Sequence, residues 1–295
     1  MDDALTSGNL IVPERLAATC SRKPEWTAWL NRLPRILLDL EERWGLTFGS
    51  PPFDGVEVSC AWVAPVTGED ETSAVLKVGM PHFEAEQEIA ALRFWDGDPT
   101  VRVLEADDQL NAMLLEACEP GTVLRQLPES EQDVIVAQLL RRLWRIPPSP
   151  HPFRPLSVMT AQWSAETLAD TERCPDAGLV EEGLRLFEEL PRTASTQFLL
   201  ATDLHAGNVL RAQREPWLVI DPKPFLGDPA YDATQHLLNC EDRMRSDPEG
   251  TILRFSDLLE VDAARVRLWM FARYAAESRD MWDDDSLALA RRLAG

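Results

Sequence analysis

Three polar residues in the order Asp203, Asn208 and Asp221 carry the most chemical information in this chain. Asp203 opens the segment Asp203-Leu-His-Ala-Gly-Asn208, and Asp221 closes the apolar run Trp217-Leu-Val-Ile-Asp221. Phosphoryl transfer from a metal–nucleotide complex needs this set. One carboxylate accepts the proton of the attacking hydroxyl, while an amide oxygen and a second carboxylate hold the metal. Mg2+ is a hard ion that prefers oxygen ligands, which Asn208 and Asp221 supply. Each residue alone is better explained as a turn residue or a helix cap. Their order, downstream of a lysine and an acidic helix, favours catalysis, with Asp203 as the base.

That lysine is Lys77, set inside the apolar run Ala74-Val-Leu-Lys-Val78. An edge-strand lysine facing solvent is one explanation, and a fixed cation on the phosphates of a nucleotide is the other. A carboxylate helix follows at once. Glu84 and Glu88 are four residues apart and share a helix face. Glu88, ahead of Ala91-Leu92, is the better placed to hold Lys77 in an ion pair, with Glu84 as the alternate. Further on, Leu114-Leu-Glu-Ala-Cys118 ends a strand, and Glu116 to Cys118 can offer backbone groups to an adenine ring. Ser59 to Thr67 is the nearest candidate to cover the phosphates. No GxxxxGK[ST], GxGxxG or GxSxG motif occurs, so P-loop, Rossmann and hydrolase-elbow chemistry are excluded. His205 reads as a structural loop residue, and His82, His151 and His236 gain no role.

These residues need elements to position them. Apolar residues at helical spacing from 14 to 46 predict one or two amphipathic helices, with Pro34 as a possible break. Val56 to Val66 and Ser73 to Gly79 predict strands. A helix from His82 to Trp95 stops at Asp96-Gly-Asp-Pro99. Val101 to Glu105 and Ala112 to Ala117 predict two more strands. Strand, strand, helix, strand, strand suits a small antiparallel sheet with one packed helix. Helices dominate afterwards, starting with Glu129 to Ile146, for which Ser130 is the candidate cap. Others are expected near 156–172, 178–190 and 230–240, with short strands at Gln197 to Leu200 and Trp217 to Ile220. The expected organisation is an N-terminal helical segment (1–50), a sheet-rich nucleotide-binding lobe (51–118) and a helical catalytic and substrate-binding lobe (119–295).

Composition limits the class. Fifty acidic and 29 basic side chains leave a net charge of −21, which repels nucleic acid and favours cationic ligands. The acidic stretch with Glu277 and Asp280 to Asp285 could recruit such a ligand, although a solvated helix end is the simpler explanation. No apolar run reaches the length of a membrane span, and the first residues lack a signal-peptide pattern. Five scattered cysteines without a CxxC pair indicate neither zinc nor disulfides. A cytoplasmic protein, with a monomer favoured, is the expectation.

The segments Asp203-Leu-His-Ala-Gly-Asn-Val-Leu210, Arg214-Glu-Pro-Trp-Leu-Val-Ile-Asp-Pro-Lys223 and Gly227-Asp-Pro-Ala-Tyr-Asp232 resemble the aminoglycoside phosphotransferase family, in particular its streptomycin 6-kinase and hydroxyurea phosphotransferase branch. Phe94-Trp-Asp-Gly97 and Leu114-Leu-Glu116 are similar to that branch as well. The resemblance implies an α+β, bilobal protein-kinase-like fold. It also implies ATP- and Mg2+-dependent phosphorylation of a hydroxyl on a small, cationic or sugar-like compound. Asp203 matches the catalytic base, Asn208 and Asp221 the metal ligands, and Lys77 the phosphate-binding lysine. Asp228 and Asp232 match the Gly-Asp-Pro segment that braces the loop and starts the next helix. The family usually carries His-Gly before the catalytic aspartate, where this chain has Ala201 and Thr202. Altered support of the loop is the expected consequence. Kinases of neutral alcohols and nucleotide-binding pseudokinases are the alternative functions.

Overall fold

The computed structural model of the chain describes residues 10–54, 60–174, 176–278 and 282–294. In chain order its main elements are α1 (Glu14–Cys20), α2 (Pro24–Trp44), β1 (Ala61–Thr67), β2 (Ser73–Gly79), α3 (Glu88–Trp95), β3 (Val103–Asp107) and β4 (Ala112–Glu116). Then come α4 (Glu129–Leu143), α5 (Leu156–Ala169), α6 (Ala177–Glu189), β5 (Phe198–Leu200), β6 (Val209–Arg211), β7 (Trp217–Val219) and β8 (Phe225–Gly227). The chain ends with α7 (Pro229–Leu238), α8 (Glu241–Ser246), α9 (Pro248–Leu259), α10 (Ala263–Ala276) and α11 (Asp284–Ala294). They form two compact units, one of residues 1–122 with 210–220, the other of 123–209 with 221–295.

The first unit is built on an antiparallel sheet of order β1-β2-β4-β3. Side chains alternate across a strand, so each face collects its own set. Trp62, Ala64, Val66, Leu76, Val78 and Leu114 pack with the α2 residues Trp29, Leu33, Ile36, Leu37 and Leu40. Met113 and Leu115, with Val75, pack instead with Ile89 and Leu92 of α3. The sheet is thus covered on both sides, and β2 is nearly all buried. The segment 210–220 joins this unit through hydrogen bonds between Val101 and Val219 and between Val219 and Pro99, each 3.0 Å.

Three expectations need correction. Pro34 lies inside α2 and does not end it. The missing hydrogen bond and ring clash cost about 3 kcal/mol, but five buried apolar residues on both sides of Pro34 hold the helix to the sheet. Ser130 is not the cap of α4, because Pro128 takes that position. The helix expected from His82 is interrupted. A short 3-10 turn covers Phe83–Ala85, Gln87 has φ +67°, and α3 begins only at Glu88. Residues 56–59 of the first expected strand lie outside the described residues.

The second unit is mainly helical. Within it β5 pairs antiparallel with β8, Leu200 facing Phe225 and Phe198 facing Gly227. Gly227 cannot carry a side chain, since a Cβ there would lie 2.5 Å from Leu156 Cβ. Tyr231 of α7 packs edge-on against Trp269 of α10 with ring centroids 5.1 Å apart. This contact ties the helix after β8 to the core of the unit.

Candidate active site

In the first unit Lys77 stands on β2 between β1 and β4, opposite Val63 and Met113. It is therefore not an edge-strand lysine. The pleat puts it on the same face as Val75, the face covered by α3. Because α3 starts at Glu88, that carboxylate sits in the first helical turn, where the helix dipole favours it. Lys77 Nζ and Glu88 Oε1 are 2.5 Å apart, with the residues 7% and 2% exposed. An ammonium this buried is tolerable only beside a carboxylate. The interruption at Gln87 is what selects Glu88 over Glu84, and a straight helix from His82 would not have shown it.

Glu116 ends β4, and its carboxylate is held by Arg214 Nε (2.8 Å), Arg214 Nη2 (2.9 Å) and the Arg102 amide (3.1 Å). Burial acts upward on this carboxyl, but these donors bring it below its ordinary value. Arg214 also donates to the carbonyls of Gly97 (2.7 Å) and Thr100 (2.9 Å). It thereby fastens the end of β4 to the turn after α3. The Glu116 amide donates to Arg102 O at 3.0 Å. Burial pushes the Cys118 thiol up to about 11, so it stays protonated at neutral pH. Glu116, Ala117, Glu119, Ser73, Gln213 and Arg214 line an open cleft of about 500 Å3. No local pattern marks Arg214 for this task, since its partners lie about a hundred residues away.

The second unit carries Asp203, Asn208 and Asp221. The chain leaves β5 at the buried Ala201 and turns at Thr202, whose φ is +49°. The Asp203 amide donates to Ala201 O at 2.7 Å. The His205 ring Nδ1 accepts from the Gly207 amide (2.9 Å) and from Arg125 Nη2 (3.0 Å). Two donors on one nitrogen require the neutral ring with its proton on Nε2. Burial first, then the Arg125 charge, lower the His205 pKa to about 4. Its task is to shape the turn. Asn208 is buried, and its Nδ2 donates to Asp203 O at 3.0 Å. This fixes the amide with its oxygen as the acceptor end. Asn208 and the half-buried Asp221 both offer oxygen, the donor type that Mg2+ prefers.

Backbone and side-chain bonds join the 201–208 loop to the segment after β7. The Lys223 amide donates to Ala201 O at 2.7 Å, and Thr202 Oγ1 donates to Lys223 O at 2.5 Å. Asp221 has φ +53°, and its Oδ1 lies 2.5 Å from Lys223 Nζ. Beneath the loop the fully buried Asp232 accepts from the amides of Ala201 (3.2 Å) and Thr202 (2.8 Å) and from Trp144 Nε1 (3.0 Å). Asp228 caps α7 through Ala230 N (3.0 Å) and pairs with Arg265 and Trp269 Nε1. One aspartate starts the helix and the other braces the loop, as expected of this pair.

The positive φ at 202 is a conformation that glycine adopts without strain. Thr202 takes it at a cost and recovers a hydrogen bond that glycine lacks. Support of the loop is therefore altered in kind and not lost. Three of the acids near the C-terminus have structural partners. Glu277 is buried beside Arg273 (2.8 Å), Asp283 caps Ser286 N (2.8 Å), and Asp285 lies 3.2 Å from Arg245. Asp280 lies outside the described residues.

A family model for aminoglycoside/hydroxyurea antibiotic resistance kinases matches residues 43–286. The chain is 34% identical to a streptomycin 6-kinase of Streptomyces glaucescens, covering 96% of this chain and 95% of that one. It is 35% identical to a hydroxyurea phosphotransferase of Kitasatospora aureofaciens, covering 90% and 77%. Among solved structures, choline kinase LicA of Streptococcus pneumoniae aligns with a TM-score of 0.59 at 12% identity, over 88% of this chain and 98% of that one. A likeness at so low an identity concerns the fold, which is kinase-like.

Proposed function

We propose that this chain, which belongs to the aminoglycoside/hydroxyurea antibiotic resistance kinase family, phosphorylates a hydroxyl of a polar, cationic small molecule of the streptomycin type, with ATP as donor. The observation that carries this reading is the Asp203–Asn208 loop, braced by Asp232 and fastened to Lys223 two residues beyond Asp221. Asp203 accepts the hydroxyl proton and orients the oxygen for in-line attack. Lys77, held by Glu88, fixes the nucleotide phosphates. Asn208 and Asp221 are the residues that would hold Mg2+, and a bound ion would neutralise phosphate charge. The backbone of residues 116–118 is the place for the adenine. Positioning and charge neutralisation supply most of the rate.

The test is ATP consumption with streptomycin, other aminoglycosides, hydroxyurea and simple alcohols as acceptors. Asp203→Ala should lower turnover on the accepted substrate by about a thousandfold or more with an unchanged circular dichroism spectrum. Full turnover by this variant would remove Asp203 from the mechanism. Turnover on simple alcohols alone would replace the cationic substrate by a neutral metabolite.

A further inference from the structure

We propose that Lys223 is a positioning residue of the metal site, whose ammonium holds Asp221 and sets how tightly a divalent cation binds; this rests on the assignment of Asn208 and Asp221 as metal ligands. Lys223 Nζ lies 2.5 Å from Asp221 Oδ1, with side-chain exposures of 12% and 33%. The Lys223 backbone is tied down on both sides. Its amide donates to Ala201 O and its carbonyl accepts from the Thr202 hydroxyl. The chain that carries the ammonium is thus anchored to the two residues preceding Asp203.

Asp221 itself has φ +53°, a backbone conformation uncommon for a residue with a side chain. Such a conformation persists where the surroundings over-determine it, and the anchored Lys223 two residues away is part of those surroundings. A cation that binds Asp221 shares its carboxylate with this ammonium. The ammonium neutralises part of the carboxylate charge and repels a second cation close by. A bare divalent ion is therefore bound weakly. An ion that arrives on nucleotide phosphates brings the negative charge that offsets the lysine.

The sign of the effect makes the test decisive. Mn2+ is titrated into the full-length protein without nucleotide, and free ion is followed by its electron paramagnetic resonance signal. Lys223→Met should bind Mn2+ about tenfold more tightly than the parent. Lys223→Arg, which keeps the charge, should match the parent. Asp221→Asn should lose most of the binding. If Lys223→Met binds equally or more weakly while Asp221→Asn loses the ion, the role of Lys223 is refuted and the metal ligands stand. If Asp221→Asn binds like the parent, the ligand assignment falls and this proposal with it. Thermal unfolding checks each variant. Should Lys223→Met fail to fold, Lys223→Gln, which keeps a donor and loses the charge, is read in the same way.

Discussion

Lys77 and Glu88 form a buried pair whose value lies in each needing the other. Glu88→Ala leaves the ammonium of a 7%-exposed lysine without this carboxylate. The expected cost is about 3–5 kcal/mol of stability, together with a higher KM for ATP. The double variant Lys77→Met, Glu88→Leu should regain most of that stability and none of the activity, because apolar replacement of a buried pair is close to neutral. Urea denaturation and steady-state kinetics on the parent and the two variants measure both. Equal stability of Glu88→Ala and the parent would show that the pair holds nothing. Glu88 stood out in the sequence by its place ahead of Ala91-Leu92, but the break at Gln87 that starts α3 at this residue did not. The tasks of Thr202 and Lys223 were not legible either, because they depend on a left-handed backbone and on two loops meeting.

At the scale of elements, the Asp203 loop depends on a helix it does not belong to. Asp232 of α7 accepts two amides of residues 201–202 while fully buried. Burial pushes its carboxyl up to about 6, against the hydrogen bonds that favour its charged form. A native value above the unfolded value of 3.8 means that the folded protein keeps a proton the unfolded chain has released. This contribution to stability is complete below pH 4 and is lost as pH rises through 6. Two pH units correspond to about 3 kcal/mol. Asp232→Asn has no such titration. The stability difference between parent and variant should therefore shift by about that amount between pH 4 and 7, against the parent at the higher pH. Parallel stability curves from urea denaturation would reject it.

A second staple in the same unit uses Asp133 of α4, which lies 2.8 Å from His236 Nε2 of α7 and accepts from Arg243 of α8 at 2.6 Å. Burial acts upward on Asp133, yet Arg243 and His236 together bring it down to about 2. His236 thus has a structural task that an isolated histidine in the sequence could not announce.

For the whole molecule the excess of acid is the governing property. A net charge of −21 attracts cations over distances set by ionic strength. Raising NaCl from about 50 to about 300 mM should raise KM for streptomycin several-fold and leave KM for neutral hydroxyurea nearly unchanged. Equal salt dependence for both would deny charge a part in substrate choice. Glu277 is not the residue to credit for such attraction, because Arg273 already neutralises it inside the core. Among the described residues no helix is long and apolar enough to cross a membrane.

The sequence by itself determined which groups could do chemistry and in what order. Residue type and local spacing brought out Asp203, Asn208, Asp221, Lys77 and Glu88 as candidates, and the structure pairs Lys77 with Glu88 and Asn208 with the Asp203 backbone. The covered sheet and the helical second unit followed from apolar periodicity, which is also local. Tertiary structure decided what holds those groups still. Pro34 is tolerated because its helix packs on the sheet, and α3 begins at Glu88 because Gln87 takes a left-handed conformation. The pair Ala201-Thr202 supports the loop because Lys223 and Asp232, 21 and 30 residues from Thr202, supply its hydrogen bonds. Contacts between residues that far apart are set by how strands and helices pack, which no local pattern encodes.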